Sequence, residues 1–192
     1  MKTALCIMLI AGVGFFVSCN NSPEVINTQE RVGINDSALV RKGEHLVMIA
    51  GCHDCHSPKR MGPNGPEIIL EKMLSGYPSE RTLPKFDTAL AKRGIAQMSE
   101  DMTAAAGPWG ISFASNLTPD GTGAGSWPLE NLKRALRHGK AKGLESGRLL
   151  LPPMPWFNYV NFTDEEIEAI HAYLKSITPV QNIVPQPVLF KK

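Results

Sequence analysis

The chain has no basic run. Its 20 Lys and Arg are interspersed with 18 Asp and Glu over 192 residues, for a net charge of +2. With no cationic stripe to track a phosphate backbone, nucleic acid is excluded as a partner class. Cysteine is scarce as well: Cys6, Cys19, Cys52 and Cys55 are too few, and too unevenly placed, for a disulfide framework or a four-sulfur metal site. Proline and glycine are plentiful, at 15 and 17, which implies irregular backbone between a few helices within one domain.

The one apolar stretch at the start, Ala4 to Val17, is too short to span a bilayer comfortably and has the form of a secretory signal. It ends in Phe16-Val17-Ser18-Cys19, which resembles the lipobox of bacterial lipoproteins, although Phe16 stands where Leu is usual. The resemblance implies a signal over residues 1–18 and an acylated N-terminal Cys19, hence anchoring to an envelope membrane. Residues 19–35 are polar and would form a tether from the lipid; residues 181–192 form a C-terminal tail. Removing the signal removes Lys2, so the mature charge is 2 − 1 = +1.

Only Cys52 and Cys55 then remain for the folded part. They lie in Gly51-Cys52-His53-Asp54-Cys55-His56, a C-x-x-C-H pattern that attaches haem c. On a helical turn, residues three and four apart share a face, so both thiols can reach one porphyrin edge and His56 can turn back beneath it toward the iron. Two other chemistries use such a pair. A redox dithiol expects a strand leading into it, whereas residues 37–50 read as helix, and a zinc site expects further paired Cys or His.

Three helices are expected. The first starts near Asp36 or Ser37 with a stripe of Leu39, Gly43, Leu46 and Ala50, and Gly43 would allow close approach by another element such as Tyr173. A middle helix runs from about Ser126 to Arg137, with Leu129, Leu132 and Leu136 inward and Gly139 at its end. The last opens on the capping box Thr163 to Glu166, presents Ile167, Ile170, Leu174 and Ile177, and stops at Pro179. Between the last two lies Pro152-Pro153-Met154-Pro155, a stiff, donor-poor loop suited to holding a thioether as second axial ligand. Met61, Met73, Met98 and Met102 are the competing methionines.

These features together resemble class I cytochrome c. More narrowly, RKGEHLVMIAGCHDCHSPKRMGPNGP, SNLTPDGTGAGSW, NLKRALRHGK, LPPMPW and TDEEIEAIHAYLKSI are similar to the cytochrome domains that serve as subunits or partners of envelope dehydrogenases. The resemblance implies an all-α, cytochrome c-like domain over residues 36–180 around one covalent haem, with His56 and Met154 on the iron. It also makes Asn116, Trp127 and Arg137 candidates for the haem propionate region. A loop-rich insertion, about residues 59–110, lengthens the path between His56 and Met154, with short helices expected around Glu67 to Leu74 and Thr88 to Gln97. Relatives of this kind often carry several haems, but C-x-x-C-H occurs once here.

An iron with both axial positions filled by protein suits outer-sphere electron transfer with a dehydrogenase, an oxidase or another cytochrome, facing the periplasm. The alternatives are a haem enzyme or gas sensor in which Met154 dissociates, and a structural lipoprotein. An enzyme would need a distal acid or base, and His45, His53, His138 and His171 show no pairing that suggests one.

Overall fold

The computed structural model describes residues 28–190, with side chains from residue 37 onward. Cys6, the candidate signal and the lipidation residue Cys19 lie outside the described residues. The framework is formed by α1 (Thr28–Ile49), α2 (Cys52–His56), α3 (Thr88–Lys92), α4 (Leu129–His138) and α5 (Asp164–Ser176). The first helix begins earlier than expected and takes in residues 28–35, the second half of the segment read as a tether.

Helices α1 and α5 form the main pair. Leu46, Val47, Ile167, Ala169, Ile170, Tyr173 and Leu174 make one buried cluster with Leu132 of α4 and Leu74 of the insertion, and Leu39, Leu129, Leu136 and Ile177 pack against it. The expected stripes are therefore the ones that face inward. Gly43 explains how closely the pair packs: a Cβ there would come within 1.9 Å of the Ala169 carbonyl oxygen and 2.8 Å of the Tyr173 Cβ. No side chain fits between these backbones. At the start of α5, Thr163 accepts from the Glu166 N–H while the Glu166 carboxylate accepts from the Thr163 N–H, a complete capping box. Helix α4 ends on Gly139 in the left-handed region, as its place after the leucine stripe predicts.

The expectation of an all-α fold requires correction, because the structure mixes helix and sheet. Strands β1 (Lys59–Gly62) and β2 (Gly65–Ile68) form one antiparallel hairpin. Strands β3 (Gln97–Met98), β4 (Ala104–Gly107) and β5 (Gly110–Phe113) form a three-stranded antiparallel sheet in the order β3-β4-β5. Both lie in or beside the insertion, where helices were expected over 67–74 and 88–97. There the chain has only a 3-10 turn at Leu70–Lys72 and the five-residue α3.

The physical reason is that burial overrides intrinsic propensity. Ala104 to Gly107 is alanine-rich and carries no strand signal, yet all four residues are buried. The tail completes this region. Ile111 and Val188 exchange backbone hydrogen bonds of 2.7 and 2.9 Å, and the buried Asn182 side chain donates to the Ser75 and Tyr77 carbonyls at 2.6 and 2.9 Å. Residues 181–190 thus return across the insertion and lie against it.

Candidate haem site

Helix α1 ends at a joint rather than running into the cysteine pair. Gly51 has φ 68°, a left-handed conformation that glycine adopts without steric penalty, and the chain restarts at once as α2. A helix, not a strand, therefore precedes Cys52. Lys59 closes the other end of α2: its ammonium donates to the carbonyls of His53, Asp54 and Ser57 at 3.2, 2.7 and 2.9 Å, and to that of Asp101 at 3.3 Å. A cation at a helix C-terminus is favoured by the exposed carbonyls, and this one also ties the turn to the insertion.

Cys52 and Cys55 are not bonded to each other. Burial, more than any neighbouring charge, pushes the Cys52 thiol up to about 11 and raises that of Cys55 as well. A redox dithiol needs a thiol lowered toward neutrality, so this environment suits capped sulfurs better than reactive ones. Among the described residues no three His, Cys, Asp or Glu side chains converge as a metal cluster, which leaves the zinc alternative without further ligands.

His56 is buried, and that burial lowers its pKa and keeps the imidazole neutral. Its Nδ1 lies 2.7 Å from the Ser115 carbonyl, which can only accept, so the proton sits on Nδ1 and the lone pair on Nε2. A carbonyl that accepts from the far ring nitrogen fixes both tautomer and ring orientation in metal-binding histidines.

These residues open onto a mainly apolar cavity of about 320 Å³. Its walls include Cys52, Cys55 and His56 from the attachment turn, Leu132 and Leu136 from α4, Ile170 and Leu174 from α5, and Met154 between Pro153 and Pro155. The sheet contributes Ala104, Ala105, Ser112 and Phe113. Such a volume lies in the range of small-molecule and cofactor pockets. The donor set fits a covalently held haem: two neutral thiols, an imidazole lone pair, a thioether, and hydrocarbon walls that exclude water.

Of the five histidines only His56 lines the cavity, and of the described methionines only Met154 and Met102 do. Met102 sits in the insertion with φ 61°. The other histidines are placed elsewhere: His171 donates from Nε2 to the Trp127 carbonyl at 2.8 Å, and His53 Nδ1 lies 3.0 Å from the Ser57 hydroxyl. His45 and His138 are exposed.

The three candidates for the propionate region separate. Trp127 lines the cavity, whereas Asn116 and Arg137 do not. Asn116 is buried in a knot of four bonds: it donates to Thr122 Oγ1 and the Val180 carbonyl and accepts from the Thr118 N–H and hydroxyl. Arg137 donates to the Phe162 carbonyl at 3.2 and 2.8 Å and pairs with Asp164, joining α4 to the start of α5.

Sequence reasoning passed over Arg148, Ser112 and Tyr159. Arg148 lines the cavity, and among the described residues no carboxylate pairs with it, although Nη1 donates to the Leu149 carbonyl at 2.8 Å. Tyr159 donates to the Ala50 carbonyl at 2.7 Å, tying the segment after Met154 to the end of α1, and burial pushes its hydroxyl up to about 12. Spacing from the methionine loop would have marked Arg148 and Tyr159. Nothing in the sequence marks Ser112.

No family model matches the chain. It is 30% identical over 147 residues to the gluconate 2-dehydrogenase cytochrome c subunit of Pantoea cypripedii, a match covering 76% of this chain and 25% of that one. The fructose dehydrogenase cytochrome subunit of Gluconobacter japonicus is 28% identical over 153 residues, 78% of this chain and 24% of that one. The cytochrome c subunit of the quinone alcohol dehydrogenase of Gluconacetobacter polyoxogenes is 28% identical over 154 residues, 79% and 25% respectively. The chain spans about a quarter of the length of the curated relatives it matches. Its homologues are thus cytochrome c subunits of dehydrogenases, and the resemblance read in the attachment turn, the methionine loop and the last helix is to a dehydrogenase-associated cytochrome c.

Proposed function

We propose that this chain is a single-haem electron carrier working beside a dehydrogenase in the bacterial envelope. The observation that carries the reading is one apolar cavity lined at once by Cys52, Cys55, His56 and Met154. In this reading Cys52 and Cys55 would form the thioethers, and His56 and Met154 would hold the iron. The bound iron supplies reversible one-electron chemistry between Fe(III) and Fe(II).

The chain's own residues hold the site in one arrangement. The Ser115 carbonyl keeps the His56 lone pair on Nε2, the prolines around Met154 limit the loop's freedom, and the leucines and isoleucines of α4 and α5 exclude water. Trp127 and Arg148, which line the cavity, would be the groups available to the propionates, while Asn116 and Arg137 act on the framework. A single C-x-x-C-H means one haem per chain. The role proposed is carriage, because Met154 lines the same cavity as His56 and would leave the iron no open position.

The same reading places the protein on the periplasmic side, held to a membrane through acylated Cys19, with the dehydrogenase as donor and an oxidase or another cytochrome as acceptor. Mass spectrometry of native protein is expected to find acyl chains on Cys19; an unmodified N-terminus elsewhere removes the anchor.

The haem claim is tested by denaturing electrophoresis with haem staining and by a haemochrome assay. The expected result is stain retained on the chain at one haem per polypeptide, lost when Cys52 and Cys55 are both replaced by Ser. Extraction of the haem by acid-acetone would overturn the thioether assignment.

A further inference from the structure

We infer that Ser112, in a strand beside the insertion, is a positioning residue for the methionine loop and sets how tightly Met154 stays on the iron. The inference rests on the ligation proposed above and adds a role for the sheet. Ser112 is buried on β5, and its hydroxyl lies 2.7 Å from the Pro152 carbonyl, two residues before Met154. The Ala105 carbonyl is farther, at 3.4 Å, so the single hydroxyl proton goes to Pro152. Trp109, in the β4-β5 turn, donates to the Ser112 oxygen from Nε1 at 3.3 Å. The result is a directed chain from indole N–H through hydroxyl to loop carbonyl.

The loop is anchored before and after, by the Leu150 N–H on the Gly139 carbonyl at 2.6 Å and by Tyr159 on Ala50, but has few bonds of its own between these points. Pro152, Pro153 and Pro155 have no N–H, and the Met154 N–H donates within the loop, to the Leu151 carbonyl at 3.2 Å. Among the described residues, Ser112 makes the one hydrogen bond between the backbone of residues 151–154 and a distant element. The strand that carries it is itself fixed on both edges, by β4 on one side and by the Ile111 to Val188 bridge on the other. A rigid strand therefore grips a loop that cannot secure itself.

Removing the hydroxyl takes away the bond that ties the Pro152 carbonyl to the sheet, which favours loop states with the thioether withdrawn. Imidazole titration of the oxidised, haem-loaded protein measures this, because imidazole binds only when the sulfur leaves. Ser112→Ala is expected to tighten apparent imidazole binding about tenfold. Ser112→Thr, which keeps a hydroxyl on a strand, restores the wild-type value. Trp109→Phe shifts it two- to threefold in the same direction as Ser112→Ala.

The three variants are compared at equal haem content, with urea midpoints measured alongside. Imidazole affinity unchanged in Ser112→Ala and in Trp109→Phe would overturn the inference, and so would a shift in Ser112→Ala that Ser112→Thr does not reverse. If Ser112→Ala yields no haem-loaded protein, Trp109→Phe and Ser112→Thr decide alone. A wild type lacking the long-wavelength sulfur-to-iron band would instead overturn the Met154 ligation, and the positioning role with it.

Discussion

The helical frame and the insertion are held together by different forces. Helices α1, α4 and α5 share an apolar core, with an ionic junction where Lys133 and Arg137 of α4 reach Asp164 of α5, and the close approach of α1 to α5 depends on Gly43 lying against Ala169. The insertion buries few of its large apolar residues: Leu74 and Tyr77 are buried, while Met61, Leu70, Leu83, Ile95 and Met98 stay exposed. It is organised instead by polar side chains that each gather several hydrogen bonds: the Asp101 carboxylate accepts from the Ser99 and Thr103 hydroxyls, the Thr103 N–H and Arg81, and Asn182 accepts from the Ser79 N–H while donating to the Ser75 and Tyr77 carbonyls. One region is specified by packing, the other by hydrogen-bond satisfaction, and the cavity lies where they meet.

That contrast predicts a ranking of substitutions. The largest effect belongs to Gly43→Leu, which forces α1 and α5 apart and is expected to cost about 3–4 kcal/mol in urea unfolding, with loss of haem loading. Asn182→Ala leaves the buried Ser75 and Tyr77 carbonyls without their donor and should cost about 2–3 kcal/mol. Its signature differs: protease cuts should appear between residues 75 and 100 while the helical circular dichroism persists. Equal loss of helix in both variants would break the distinction between the two regions.

Asp101 offers a pH test of the insertion. Burial opposes its ionisation, but hydrogen bonds from Arg81, Thr103 and Ser99 outweigh that and hold the carboxyl below its usual range. A carboxyl lowered in the folded state stabilises fully above its unfolded pKa, and that contribution is lost as pH falls through the folded value. The insertion should therefore loosen only at strongly acid pH. Asp101→Asn should lose about 2 kcal/mol at neutral pH and show a flatter acid limb in urea midpoints against pH. The smallest effect belongs to Arg60→Ala on the first hairpin: its pair with Glu67 is exposed, and about 0.5 kcal/mol or less is expected.

The same contrast explains what could be read in advance. Apolar periodicity reports packing, so the stripes of α1, α4 and α5, the capping box at Thr163 and the stop at Gly139 were all legible. Val47, fully buried, was passed over because it flanks the stripe. Hydrogen-bond satisfaction leaves a weaker trace. The two hairpins do share a signal, Gly62-Pro63-Asn64-Gly65 and Gly107-Pro108-Trp109-Gly110, each a turn between paired glycines with proline at its second position. Such a Gly-Pro-x-Gly turn reads equally as loop punctuation, so it does not by itself announce the strands on either side. Arg137 was placed by its position in a motif, and only the structure shows its guanidinium committed to Phe162 and Asp164.

Ligation by Met154 is the central claim, and the potential and carbon monoxide binding of Met154→Ala test it most directly. A thioether favours Fe(II); at 59 mV per ~1.4 kcal/mol for one electron, a preference of ~3 kcal/mol corresponds to about 130 mV. Met154→Ala should lower the potential by about that amount, lose the long-wavelength band and bind carbon monoxide, while Met102→Leu and the wild type keep the band and bind it poorly. Ready carbon monoxide binding by the wild type, or a Met154→Ala protein that retains both band and potential, would contradict the account.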